Sequence, residues 1–182
     1  MTVEEIYDKY YKKGSIARDI LERHSQSVAM LALNINTKDR LGLDPALVEQ
    51  AAMLHDIGIF MTDAEGIDCH GDEPYIRHGI LGADLLRAEG WGEDIARVAE
   101  RHTGAGITAD DIAELELPLP ADRVLFPESL LERLICYADK FYSKSGTMER
   151  KSLEKVRASM SRHSASTLER FERLHSEFNP VC

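Results

Sequence analysis

The sequence predicts an all-α fold, and three observations support this. Apolar residues recur every three or four positions over most of the chain, which is the period of an amphipathic helix. Capping residues begin several of these segments, and glycine or proline ends them. The sequence contains no convincing strand pair, repeat or low-complexity linker. We therefore expect one helical domain over residues 1–182, with its core at 15–145 and an additional C-terminal helical segment at 150–180.

The N-terminal part predicts two or three helices. Thr2 and Glu5 have the spacing of a capping box, and Gly14 ends the short helix that follows. The apolar period continues over residues 15–38, as one helix or as two helices broken near His24. In either case the period turns His24 towards the core.

The next predicted helix ends at a histidine and an aspartate that could bind a metal ion together. Asp44 followed by Pro45 is typical of a helix start, and an apolar run then reaches His55-Asp56-Ile57-Gly58. Where a helix ends, the backbone turns, so these two neighbouring side chains can converge on one cation. We expect Gly58 to permit that turn. Residues 59–76 show no clear period and predict a loop beside the site.

Four helices are predicted between His78 and Lys140. Their approximate ranges are 78–90, 92–102, 108–115 and 130–140. Three prolines make the connection at 118–127 extended. From Ser152 to Pro180, the apolar spacing predicts one or two closing helices.

Composition excludes several classes of protein. The net charge of −10 disfavours binding of long nucleic acid, although a small phosphorylated substrate held by metal stays possible. No apolar run is long enough for a membrane span and the N-terminus does not resemble a secretion signal, so we expect a cytoplasmic protein with no membrane partner. The three cysteines suggest neither disulfides nor a zinc knuckle. Basic residues are in excess between Lys144 and Arg162, which we interpret as a solvated helix face rather than an anion-binding patch.

Six potential metal ligands stand at helix ends or on inward faces. They are His24, His55, Asp56, His78, His102 and Asp139. A helical bundle can bring such distant positions together. A set of imidazoles and carboxylates without thiolate suits manganese, iron, cobalt or zinc in a site with open positions. Six ligands exceed the needs of one ion and fit two ions that share a carboxylate.

The order of these motifs resembles the HD-domain superfamily of metal-dependent phosphohydrolases, specifically the dinuclear members of its HDIG group. The resemblance runs from about His24 to Lys140. The motifs that carry it are His55-Asp56-Ile57-Gly58, His78-Gly79-Ile80-Leu81-Gly82-Ala83-Asp84-Leu85-Leu86, Arg101-His102-Thr103-Gly104 and Tyr137-Ala138-Asp139-Lys140.

This resemblance implies an HD-domain helical bundle and a pair of divalent transition-metal ions, iron or manganese first, with cobalt, nickel or zinc as alternatives. The first ion would be held by His24, His55, Asp56 and Asp139. Asp56 would bridge to a second ion held by His78 and His102. The implied reaction is hydrolysis of a phosphomonoester or phosphodiester bond in a nucleotide or another small phosphorylated metabolite, by attack of a metal-bridging hydroxide.

Two departures from the family pattern bear on the substrate. Residues 103–107 lack the Gly-Tyr-Pro sequence of cyclic-di-GMP phosphodiesterases, which argues against that substrate. Ile59 stands where many members have lysine, so phosphate contacts are expected from basic residues elsewhere. The candidates are Arg77, Arg101, Lys140 and Lys144. Asp56 and Lys140 are the candidate catalytic residues.

Two other functions stay open at this point. Some HD-fold proteins are di-iron oxygenases that use the same ligand order, and others are non-catalytic nucleotide-binding regulatory modules. The sequence does not identify the substrate, the metal or the oligomeric state.

Overall fold

The protein is described here from a computed structural model, which covers residues 1–146 and 148–178. These residues form nine α-helices, and the prediction of an all-α fold is confirmed. The helices are α1 (Val3–Tyr10), α2 (Ile16–Lys38), α3 (Pro45–Leu54), α4 (His78–Ala88), α5 (Glu93–Arg101), α6 (Ala109–Glu114), α7 (Leu130–Asp139), α8 (Leu153–His163) and α9 (Ala165–Phe178).

Helix α2 is continuous, so a break near His24 is excluded. Its 23 residues contain neither glycine nor proline, and the Ser15 hydroxyl caps the N-terminus by accepting a hydrogen bond from the Arg18 backbone. The helix places His24 and Ser25 on its buried face. It packs against both α3 and α7 and therefore forms one wall of the site.

Local capping signals mark helix starts as the sequence predicted. Both expected capping boxes are present, at the N-termini of α1 and α6. At α3, the Asp44 carboxylate accepts from the backbone N–H of Ala46, with Pro45 in the first turn. The closing segment forms two helices, α8 and α9, which pack against each other, while α9 also packs on α7. The predicted end at Pro180 lies outside the described residues.

The expectation that the chain has no strands is wrong in one place. Residues 59–76 contain a small sheet of order β2-β1-β3, formed by β1 (Thr62–Ala64), β2 (Cys69–His70) and β3 (Glu73–Pro74). Strand β1 is antiparallel to β2 and parallel to β3. Strands of two or three residues are too short to show an alternating pattern, so periodicity could not reveal them.

The main core lies between α2, α3, α5 and α7, and a smaller apolar cluster lies under the 107–127 connection. None of the described helices combines the length and the apolar character that crossing a membrane requires. The division into a core at 15–145 and an extension at 150–180 stays a prediction.

Gly58 allows close packing rather than an unusual turn. Its backbone does not have a positive φ angle. A Cβ atom at this position would instead overlap the carbonyl oxygen of His78 and the backbone nitrogen of Gly82. The 3₁₀ turn Ile57–Met61 therefore lies directly on α4, and this contact sets how near His78 comes to Asp56.

We expect Gly58→Ala to lower the free energy of unfolding by about 1–3 kcal/mol, because backbone atoms on both sides must move. Urea unfolding followed by circular dichroism measures this change. Gly66→Ala is the matched control, since a Cβ there meets no atom within 4 Å. Equal stability of the two variants would contradict the packing role of Gly58.

Candidate metal centre

Six buried side chains from five helices or helix ends meet at one point in the bundle. His24 comes from the middle of α2 and Asp139 from the last residue of α7. His55 and His102 directly follow α3 and α5, and His78 is the first residue of α4. Asp56 lies at the centre of the group and is completely buried.

The two carboxylate oxygens of Asp56 face different pairs of histidines. Oδ2 lies 3.2 Å from His24 Nε2 and 3.1 Å from His55 Nε2. Oδ1 lies 3.4 Å from His78 Nε2 and 3.3 Å from His102 Nε2. Asp56 therefore divides the cluster into two halves that share one carboxylate.

Asp139 completes the first half. Its Oδ1 lies 2.9 Å from His24 Nε2 and 3.5 Å from His55 Nε2. The potential ligand atoms fall into two groups, and within each group they lie within 4.8 Å of one another. The first group is His24, His55, Asp56 and Asp139, and the second is Asp56, His78 and His102.

Backbone carbonyls orient three of the four imidazoles. In each case Nδ1 donates to the carbonyl oxygen three residues earlier, at 2.6 Å for His55 to Ala52, 2.6 Å for His78 to Tyr75 and 2.8 Å for His102 to Ala99. A carbonyl oxygen can only accept, so Nδ1 carries the hydrogen. In the neutral form of each ring, Nε2 then presents its lone pair to the centre, as metal-binding histidines do.

The centre contains buried polar atoms that the protein leaves without hydrogen bonds. Among the described residues, His55 Nε2 and Asp56 Oδ1 lack a partner of suitable geometry. Such atoms are costly in a protein interior unless something binds them. Imidazole nitrogens and carboxylate oxygens are suitable donors for divalent transition metals, so these residues fit a metal site.

Charge in the centre is balanced by neighbouring groups. Burial alone would raise the pKa of Asp56, but His55 and Lys144 hold it well below its usual value. Burial likewise opposes ionisation of Asp139, and Lys140 and the histidines hold its pKa well below the usual range. Both carboxylates are therefore ionised and require positive charge nearby.

The imidazoles differ in charge. Burial lowers the pKa of His78 to about 3, which keeps this ring neutral, in the form that binds metals. Burial also disfavours the charged form of His55, but the Asp56 and Asp139 carboxylates raise its pKa to about 9. A metal ion bound at His55 must therefore displace a proton.

Two lysines bind the carboxylates of the centre. Lys140 Nζ donates to Asp139 Oδ2 at 2.6 Å and to the His102 carbonyl at 3.0 Å, which ties the end of α7 to the end of α5. Lys144 Nζ lies 2.6 Å from Asp56 Oδ2 and 5.9 Å from the ring centroid of Tyr75.

A family model for the HD domain matches residues 21–143, a range that contains all six of these side chains. The chain belongs to the HD-domain family. The solved structure of the HD domain of the phosphodiesterase PgpH from L. monocytogenes has the same fold, with a TM-score of 0.54 and 18% sequence identity. The two structures match over 98% of this chain and 97% of that one. The resemblance to HD-domain phosphohydrolases is thus confirmed.

Two curated proteins contain segments similar to this chain. This chain is 32% identical over 170 residues to the tRNA (cytidine(56)-2'-O)-methyltransferase of Picrophilus torridus, covering 93% of this chain and 45% of that protein. It is 42% identical over 109 residues to an uncharacterized protein of Methanocaldococcus jannaschii, covering 60% of this chain and 56% of the relative. The HD domain thus spans about half the length of these curated relatives, and the methyltransferase name describes a protein of which this chain matches only a part.

Two adjoining cavities open beside the metal centre of the HD domain. One has a volume of about 470 Å³ and is lined by three lysines, Lys140, Lys144 and Lys151. The other has a volume of about 330 Å³ and is lined by apolar side chains of the 76–117 region next to His78 and His102. Residues common to both linings are Tyr75, Gly104, Asp139, Lys140, Lys144 and His163.

Two sequence-predicted phosphate contacts lie away from these cavities. The Arg101 guanidinium is buried and binds Glu128 at 2.6 Å and Glu132 at 3.0 Å. Arg77 pairs with Glu73 at 3.1 Å. Neither arginine lines either cavity, whereas Lys140 and Lys144 line both.

Several residues of the cavity walls could not be identified from sequence patterns. Tyr75 stacks on His78 with ring centroids 4.6 Å apart and orients that imidazole through its carbonyl. Lys151, Met160 and His163 come from the closing segment. The excess of basic residues after Lys144 was a signal for Lys151, but no local pattern shows which side chains of α8 turn towards the site.

We expect Arg101→Met to lower the free energy of unfolding by about 3 kcal/mol, because it leaves Glu132 buried and unpaired. Burial alone raises the pKa of Glu132, but backbone N–H groups and Arg101 hold it below the ordinary value of 4.5. The stabilisation from the ionised Glu132 is fully present above pH 4.5 and is lost as the pH falls through its lower pKa in the folded protein. The difference in free energy of unfolding between the wild type and Arg101→Met should therefore shrink in acid.

Urea unfolding at several pH values measures this effect. Arg97→Met is the control, since Arg97 lies on the same helix and its side chain is 45% exposed. A higher KM with unchanged stability in Arg101→Met would instead support the contact with substrate phosphate.

Proposed function

We propose that this HD domain is a phosphohydrolase that uses two divalent metal ions to cleave a phosphomonoester or phosphodiester bond of a small phosphorylated metabolite such as a nucleotide. The observation that carries the proposal is the arrangement around Asp56. Each of its two oxygens faces its own pair of imidazole nitrogens, which is the arrangement expected of a carboxylate that bridges two ions. When bound, such ions supply Lewis acidity and activate water for attack on phosphorus.

The ligand roles follow from this arrangement. His24, His55, Asp56 and Asp139 would hold one ion, and Asp56 with His78 and His102 would hold the other. The donor set of nitrogen and oxygen atoms suits iron or manganese, and also cobalt, nickel or zinc.

The two lysines of the centre have different roles in the proposal. Lys140 donates hydrogen bonds to Asp139 and to the His102 carbonyl. It therefore positions the Asp139 carboxylate and contributes positive charge to the cavity. Lys144 shares Asp56 Oδ2 with His24 and His55. Lys144 also lines both cavities, so its ammonium group would be available to bind substrate phosphate if Asp56 were engaged by metal.

The cavities favour a small substrate. Their volumes of about 470 and 330 Å³ are those of ordinary small-molecule sites. The polar cavity suits phosphate, and the apolar cavity next to His78 and His102 suits a nucleobase. The net charge of −10 is unfavourable for long RNA, but the tRNA-related name of one relative makes a short RNA with a terminal phosphate a useful test substrate.

We expect purified protein to contain about two transition-metal ions per chain. Asp56→Asn should lose both ions because the carboxylate is shared, and His102→Ala should retain about one. Elemental analysis after dialysis without chelator measures the content. His70→Ala is the control, since that histidine is exposed and binds Asp68 on the surface. Equal metal content in all four proteins would contradict the proposed site.

We also expect the metal-loaded protein to release phosphate or a nucleotide from at least one member of a substrate panel. The panel contains mononucleotides, dinucleoside polyphosphates, cyclic dinucleotides and a short RNA with a terminal phosphate. Asp56→Asn should lower kcat at least about a hundredfold, because the carboxylate that organises both halves is lost.

Asp63→Asn makes the same chemical change at an exposed residue and should leave kcat unaltered. Absence of turnover across the panel in metal-replete protein would refute the proposal. Substrate-dependent oxygen uptake by an iron-loaded sample would favour a di-iron oxygenase instead.

A further inference from the structure

Lys151 lies in the wall of the polar cavity and has no side-chain partner among the described residues. It lies just before α8, and its backbone N–H donates to the Phe141 carbonyl at 2.8 Å, which fixes its position near the end of α7. Its side chain is half-buried and lines the cavity. Within residues 1–146 and 148–178, the Lys151 ammonium makes no hydrogen bond or ion pair.

The two neighbouring lysines, unlike Lys151, are each paired with a carboxylate. Lys140 is bound to Asp139 and Lys144 to Asp56, so their charges balance the two carboxylates of the metal centre. Lys151 adds a third positive charge to the same cavity without adding a carboxylate. Burial lowers the pKa of Lys151, Asp139 opposes this shift, and Lys140 and Lys144 add to it. An anion between the three lysines relieves this repulsion.

We propose that Lys151 binds a second phosphate group of the substrate, separate from the phosphate that reacts at the metal centre. This inference rests on the proposed function, since it takes the substrate to be a phosphate ester. The second group belongs to the same molecule because Lys151 lines the same cavity as Asp139, Lys140 and Lys144. The preferred substrate class is therefore a compound with two phosphate groups, such as a nucleoside bisphosphate or diphosphate.

The lining around Lys151 is suitable for this role. The hydroxyl-bearing residues Ser143 and Ser145 and the exposed His163 line the same cavity and add potential hydrogen-bond donors. Lys151 and His163 lie beyond residues 21–143, the range that the family model matches. The helices that follow the matched segment thus contribute a specificity element of this chain.

The test compares two hydrolysis-resistant probes, methylphosphonate with one phosphorus group and methylenebisphosphonate with two. Their affinities for metal-loaded full-length protein are measured by calorimetry. In Lys151→Met, the affinity for methylenebisphosphonate should fall about tenfold or more, because a charge-assisted contact is lost. The affinity for methylphosphonate should stay within about twofold, because Lys151 does not contact the reacting group.

Two further variants separate charge from structure. Lys155→Met removes an exposed lysine of α8 and should leave both affinities unchanged. Lys151→Arg keeps the positive charge and should retain most of the preference for the bisphosphonate, which a purely structural role of Lys151 does not predict. With a turnover substrate that carries two phosphates, Lys151→Met should raise KM and leave kcat nearly unaltered.

The same data distinguish the possible failures. An unchanged affinity ratio in Lys151→Met overturns the inference. Binding of two methylphosphonates per wild-type chain, one of them lost in Lys151→Met, also overturns it, because Lys151 then belongs to an independent anion site. Selective loss of bisphosphonate binding in a protein that hydrolyses nothing supports the second phosphate site and counts only against the proposed catalysis.

Discussion

The buried carboxylate of Asp56 is the constraint on which the rest of this structure depends. An ionised carboxylate in a helical core is stable only if positive charge and hydrogen-bond donors surround it. The Lys144 ammonium supplies part of that charge, and the Nε2 atoms of four imidazoles surround the carboxylate as potential metal ligands. Asp139 adds a second carboxylate at the same point, and the imidazole and carboxylate atoms of the centre are suitable ligands for divalent metal ions.

Close backbone contacts set the geometry around this carboxylate. The approach of Gly58 to Gly82 brings the turn after Asp56 onto α4, which begins with His78. A Cβ on Gly79 would lie 2.6 Å from the Ala99 carbonyl oxygen, so α4 and α5 also pack without side chains between them. These contacts place the His78 and His102 rings together, with Nε2 atoms 3.0 Å apart. Small residues therefore position the second half of the centre although they carry no chemistry themselves.

The candidate metal ligands and part of the cavity wall come from different parts of the chain. The six side chains of the centre lie within the family-matched segment, whereas part of the cavity wall comes from the residues after it. The wall of the cavity can therefore differ between chains that share the same six ligand positions. The methyltransferase relative is likewise no guide to the substrate of this chain, since its name describes a protein of which this chain covers 45%.

The sequence by itself determined the helices and the membership of the candidate site. Apolar periodicity and capping residues are local signals, so they predicted most helix starts, and the ordered histidines and acids marked the six side chains that lie together. Tertiary structure decided the rest. Contacts between distant segments explain the short strands at 62–74 and the packing role of Gly58. They also explain why Arg101 pairs with Glu132 and why Lys151 lines the cavity. Contacts between distant segments leave no periodic trace along the chain, because they depend on how whole helices pack rather than on neighbouring residues.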